Sequence, residues 1–127
     1  MTKGKLIAVA VVQRADEVLV GLRPEGVPLA GYWEFPGGKV HHDEEPTDAA
    51  VRECLEETGL SVRVLEEFPA KSHEYENGLV HLRFFACEVK DPATSPRGTF
   101  RWVKRVTLGN YPFPAANDDL IGRLIEL

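Results

Sequence analysis

The chain has 127 residues and a formal net charge of −5, with 43% hydrophobic and 28% charged residues. That size predicts one domain, residues 1–127, around one hydrophobic core, and the balance excludes disordered and collagen-like classes. No apolar run approaches the roughly 18–20 residues of a membrane span, Cys54 and Cys87 make neither a disulfide framework nor a CxxC metal pair and suit a reducing, cytoplasmic setting, and the negative balance speaks against a general nucleic-acid binder.

Lys5–Gln13 and Glu17–Leu22 are β-branched-rich runs joined through Arg14-Ala15-Asp16-Glu17, which predicts a hairpin. The basic tip and apolar stretch at the start read as a strand rather than a signal peptide. Val12-Gln13-Arg14 offers no small-residue cleavage site, and a second strand run follows at once. Arg23–Lys39 holds four glycines and three prolines, so it reads as loop with Tyr32–Phe35 as a short extended piece. Pro46-Thr47-Asp48 opens a helix, with Thr47 as N-cap and Asp48 at the positive end. Gly59 closes it as a left-handed residue. Leu60–Phe68, Ser72–Tyr75 and Leu79–Val89 follow as strands, with Asn77-Gly78 as a hairpin turn. Asp91–Gly98 is a loop, Phe100–Val103 a short strand, and Ala115–Leu127 an amphipathic helix with Leu120, Ile121, Leu124 and Ile125 on one face. The expectation is an α/β domain with a mixed sheet, its strand order not encoded in the pattern.

Charge is concentrated in one place. Between His41 and Glu57 lie seven acids and a single base, Arg52. At about 100° per residue, Ala50, Val51, Cys54 and Leu55 share one arc of the central helix, which predicts its core-facing stripe. Glu53, Glu56 and Glu57 fall on another arc, at spacings that make their carboxylates neighbours. Such a group is a solvated acidic face or a cation site. Taken alone the group reads as a solvated acidic face; a hard cation such as Mg²⁺, which takes oxygen ligands, would turn the mutual repulsion into coordination. Arg52 stands where it could hold a carboxylate in place.

The wider spacing decides between them. Gly38, Glu44, then Arg52-Glu53-Cys54-Leu55-Glu56-Glu57-Thr58-Gly59-Leu60 reproduces the pattern GX5EX7REUXEEXGU, where U is apolar. Seven fixed identities at roughly 7% usage each match by chance on the order of 10⁻⁸ per window. The chain therefore resembles the Nudix hydrolases, with Cys54 where Leu or Ile is commoner. Trp33-Glu34-Phe35-Pro36-Gly37-Gly38-Lys39 and Phe113-Pro114-Ala115-Ala116-Asn117 are similar to the MutT-like branch, so the likeness spans nearly the whole chain.

The resemblance implies a Nudix-type α/β/α sandwich and hydrolysis of (deoxy)nucleoside triphosphates to monophosphate and pyrophosphate, with Mg²⁺ or Mn²⁺. It implies that Glu53, Glu56, Glu57 and the Gly37 backbone carbonyl hold the metal, that Arg52 orients the glutamates, and that Glu44 is structural or near the metal. By the same likeness Arg23, Gly38 and Lys39 meet phosphate, while Phe35 and Asn117 form the base pocket. An Asn offers both donor and acceptor and can pair with the O6 and N7–H edge of 8-oxo-guanine; capping the terminal helix is a compatible role for Asn117. One departure stands out. MutT-like enzymes commonly carry a Glu in the loop before the last strand, and Asp91–Trp102 contains none. Glu53 is then the candidate general base toward the attacking water, with Glu76 as an alternative.

Other motifs carry less. His41-His42 are adjacent and cannot place two zinc ligands as HxxxH does. Arg97, Arg101, Lys104 and Arg105, interleaved with Phe100 and Trp102, read as a solvated strand edge rather than a polynucleotide groove. No GxxxxGK[ST] occurs. The expected partner is a small nucleotide, with neither membrane nor polynucleotide, and no motif encodes an oligomeric state. A cytidine or methylated-cytidine triphosphate specificity is the alternative, which Asn117 disfavours relative to guanine. A non-catalytic nucleotide sensor conflicts with the full set of glutamates.

Overall fold

The computed structural model describes residues 4–76 and 78–127. Asn77, half of the expected hairpin turn, lies outside them. The strands are β1 (Lys5–Arg14), β2 (Glu17–Leu22), β3 (Trp33–Glu34), β4 (Gly37–Lys39), β5 (Val62–Glu67), β6 (Lys71–Tyr75), β7 (Gly78–Val89) and β8 (Arg101–Lys104). The helices are α1 (Pro46–Thr58) and α2 (Asp118–Ile125).

The sheet is mixed, in the order β3-β2-β1-β7-β5. At its centre β1 runs parallel to β7 from Lys5↔Val80 to Val12↔Cys87. The other edge of β1 is divided. Ile7, Ala8 and Val9 pair antiparallel with Lys39, Gly38 and Gly37 of β4, whereas Gln13 and Arg14 pair with Val18 and Glu17 of β2. The far edge of β7 is divided likewise, between β6 and β5. A bulge in β5 between Val64 and Glu66 leaves Leu65 without a partner and exposed.

Both faces of this sheet are covered, which is why β1 is continuously apolar rather than alternating. Ala8, Ala10, Val12, Leu19, Phe85 and Cys87 pack with Ala49, Ala50 and Cys54 of α1. Val9, Val11, Val18, Val20 and Phe84 pack on the opposite face with Leu120 and Leu124 of α2. The result is the expected α/β/α sandwich.

Several local expectations shift. Glu45, not Thr47, occupies the N-cap of α1, with Pro46 behind it and no side-chain cap bond. Proline suits the first helical turn because its missing N–H would be unpaired there anyway. The buried stripe of α1 is Ala49, Ala50, Cys54 and Thr58; Leu55 is 47% exposed. Small side chains let the helix axis approach β1 and β4 closely, which a leucine on that face would prevent. The buried Thr58 hydroxyl donates to the Cys54 carbonyl at 2.7 Å and accepts the Leu60 N–H at 3.1 Å, so no polar atom is stranded as the helix ends. Gly59 adopts φ 79° and returns its N–H to the Leu55 carbonyl, as its position predicts. The C-terminal helix is shorter than its pattern: Ala115–Asn117 form a 3-10 turn, and α2 begins at Asp118 and ends at Ile125. Two elements go unannounced by periodicity, β4 and the 3-10 helix Arg105–Asn110.

Candidate active site

Arg52 organises the acidic face of α1. Its Nε and Nη2 grip Glu44 Oε2 and Oε1 at 2.8 and 3.0 Å, and Nη1 donates to Glu53 Oε2 at 3.0 Å and Glu56 Oε1 at 2.8 Å. Nη2 also reaches the Lys39 carbonyl at 3.1 Å. All five guanidinium N–H groups are thereby used, which a lysine could not reproduce. The side chain thus ties α1 to β4 and to the connecting loop.

Glu44 feels this grip most. The Arg52 hydrogen bonds, with help from the His41 N–H, pull its carboxyl from 4.5 down to about 2. A carboxyl whose folded pKa is depressed contributes stability above its unfolded pKa and loses it as pH falls toward the folded value. The stability difference between wild type and Glu44→Gln is therefore expected to be constant above about pH 5 and to shrink between about pH 4.5 and 2. Urea midpoints for both proteins across that range check it; a difference that does not shrink would detach Glu44 from the effect.

Two glycines bring β4 against the helix. Gly37 donates its N–H to Glu57 Oε1 at 3.2 Å, and a Cβ there would stand 2.6 Å from the Ala8 carbonyl oxygen of β1. A Cβ on Gly38 would instead overlap the Glu53 carboxyl group. Glu57 is the most perturbed of the acids: burial pushes its carboxyl up to about 8, opposed by the Gly37 N–H and reinforced by the charges of Glu34 and Glu53.

From this point a cleft of about 280 Å³ opens over the sheet, with Ile7 and Val9 of β1 and Leu82 of β7 in its lining. Gly37, Gly38, Arg23 and Glu34 line it together with Phe35 and Asn117. Phe35 stacks on Phe113 with centroids 4.9 Å apart, which braces that wall. Asn117 sits at the N-cap of α2 but makes no cap bond; its Nδ2 donates to the Pro114 carbonyl at 3.2 Å. Among the described residues, one amide hydrogen and Oδ1 are left for other partners, and the capping role expected of it is not taken up. Arg23 is anchored, with Nε on the Pro28 carbonyl and Nη1 on Glu34 Oε1, both at 2.8 Å. Lys39 is opposite Ile7, exposed, and outside the cleft wall. Glu76 lines a separate open groove that adjoins the cleft through Leu29 and Tyr75.

Gly37 and Gly38, which lie against Glu57 and Glu53, thus share a cleft lining with Arg23, Phe35 and Asn117, while the side chains of Arg52, Glu53, Glu56 and Glu57 lie outside that lining and Lys39 and Glu76 stand at the margin. Glu56 turns to Arg52 and is 54% exposed. Among the described residues no three His, Cys, Asp or Glu side chains form a ready-made cage for an ion. The loop lacking a Glu is pinned elsewhere: Arg97 Nη2 donates to the Leu55 and Glu56 carbonyls at 3.2 and 2.8 Å, capping the negative end of α1. The other bases of that cluster disperse, Lys104 to Asp16, Arg105 to the Ala15 carbonyl and Arg101 over the Trp33 ring. Motif reading missed Glu34. Strand alternation carried the signal, since Trp33 packs in the α2-side core and its neighbour must face the other way.

A family profile described as NUDIX domain matches residues 8–123. The chain is 35% identical over 104 residues to an 8-oxo-dGTP diphosphatase of Proteus vulgaris, covering 80% of this chain and 93% of that protein. It is 37% identical over 76 residues to a CTP pyrophosphohydrolase of Escherichia coli, covering 60% of this chain and 56% of that protein. The crystal structure of the MutT protein from Methanosarcina mazei Go1 matches with a TM-score of 0.82 and 26% identity, over 99% of this chain and 96% of that one.

Proposed function

We propose, from the premise that this chain belongs to the NUDIX domain family and is a Nudix hydrolase, that it is a divalent-metal-dependent pyrophosphohydrolase of oxidised purine nucleoside triphosphates such as 8-oxo-dGTP. The products are the monophosphate and pyrophosphate, a reaction that would cleanse the cytoplasmic nucleotide pool. The observation that carries this reading is the single cleft joining the carboxylate end, at Gly37 and Gly38, to Asn117 and Phe35.

The donor set suits Mg²⁺ or Mn²⁺. Glu53, Glu56, Glu57 and the Gly37 carbonyl offer hard oxygen ligands, and Glu57 is desolvated among like charges that a cation would balance. Such an ion would withdraw charge from the phosphate oxygens and help hold the chain in line for attack. Arg52 keeps Glu53 oriented, and Glu53 accepts the proton of the attacking water. Arg23 faces the polyphosphate, and Asn117 presents its free Oδ1 and remaining amide hydrogen to the base edge.

The similarity to a CTP pyrophosphohydrolase favours a second reading, cytidine triphosphate as substrate. A pyrophosphate-release screen with Mg²⁺ separates them. The expected result is a kcat/KM for 8-oxo-dGTP at least about tenfold above dGTP and CTP, equivalent to about 1.4 kcal/mol. Equal values for 8-oxo-dGTP and dGTP would remove the sanitising role, and a preference for CTP would install the second reading.

A further inference from the structure

Arg23 and Glu34 meet in the cleft wall, each side chain 28% exposed, with Nη1 2.8 Å from Oε1. The second anchor of Arg23, from Nε to the Pro28 carbonyl, holds the other side of the guanidinium. Its backbone is also pinned, donating to the Tyr32 carbonyl at 2.9 Å and accepting from the Gly31 N–H at 3.3 Å. Among the described residues Nη2 has no protein partner and Nη1 has one N–H to spare, so three donors are left on a side chain that cannot easily turn.

Glu34 is held in place by strand pairing with Gly21 of β2 and lines the same cleft as Gly37 and Gly38. Among the described residues, its partner Arg23 is the one arginine in that lining.

We propose that Glu34 is a positioning residue for the substrate: it aims the Arg23 guanidinium into the cleft and sets its distance from the glutamates of α1, so that a polyphosphate is gripped between a fixed cation and the metal end. This rests on the function proposed above. Without Glu34, Arg23 keeps its charge but swings about the Pro28 contact, and substrate binding suffers more than the chemical step.

The test compares wild type, Glu34→Gln, Glu34→Asp, Arg23→Ala and the Glu34→Gln/Arg23→Ala double variant. It reads KM, kcat, binding of α,β-methylene-dGTP without metal, and Mn²⁺ affinity by electron paramagnetic resonance. Glu34→Gln is expected to raise KM by about tenfold with kcat within about threefold of wild type, and to weaken metal-free nucleotide binding in parallel. Glu34→Asp, which keeps the charge but shortens its reach, falls between. In the Arg23→Ala background, Glu34→Gln adds nothing further, because its effect passes through Arg23. Unchanged KM, additive losses, or a fall in Mn²⁺ affinity together with kcat would each overturn the proposal. If wild type hydrolyses no nucleoside triphosphate, the functional reading fails instead, and that result precedes any variant.

Discussion

Glu53→Gln lowers kcat by about a thousandfold or more, while the protein keeps its fold and its melting temperature stays within a few degrees of wild type. The magnitude follows from the role. A positioned base contributes about 10²–10⁴ to the rate, and an amide cannot accept the proton. The benign effect on folding follows from the surroundings. Glu53 is 17% exposed, and among the described residues its carboxylate takes one N–H of Arg52 Nη1, whose other N–H goes to Glu56. Glutamine keeps the shape and an oxygen for that bond, and it removes one of the charges that crowd Glu57. Steady-state kinetics with a thermal melt on the same sample decide it. A variant retaining about a tenth of wild-type kcat would take the base role from Glu53.

The second large effect distinguishes two adjacent glycines. Gly38→Ala is expected to fold normally and lose about a hundredfold in kcat, because its Cβ overlaps the end of a flexible side chain. The Glu53 carboxyl can move aside at little cost to stability, yet displacing a reacting group by about 1 Å costs about that much rate. Gly37→Ala meets the backbone carbonyl of Ala8, in the central strand, where nothing can yield. It is expected to lower stability by about 1–3 kcal/mol, the range for overpacking a tight contact. Circular-dichroism melts and kcat measured on both variants should therefore show opposite patterns. Wild-type kcat in Gly38→Ala would mean that the glycine does not serve to seat Glu53.

Much of this arrangement could be read in advance. Runs of Val, Ile, Leu and Ala marked β1, β2 and β7, and the charged identities between Gly38 and Gly59 marked the candidate site. What escaped has physical reasons. β4 is Gly-Gly-Lys and has no apolar period, since it is recruited by backbone pairing with β1. The buried face of α1 was set by closeness rather than by hydrophobicity, so Ala49 and Thr58 went inward and Leu55 outward. The terminal helix lost its first turn to a 3-10 segment after Pro114, although its apolar spacing alone continued through it. Arg23 and Asn117 were named as site residues, but the bonds that orient them, to Glu34 and to the Pro114 carbonyl, depend on chain segments that meet only in three dimensions.

The two hydrophobic layers, one under each helix, allot separate tasks to separate halves of the molecule. The glutamates ride on α1 and its layer, while Phe35 packs in the other, and Asn117 stands at the head of the helix that closes it. Only the sheet is common to both. On the proposed assignment of Phe35 and Asn117 to the base and of the glutamates to the phosphates, drift in the second layer would redraw which nucleobase is welcomed without disturbing the machinery that cuts the anhydride, so the same scaffold could diversify in appetite while its chemistry stays put.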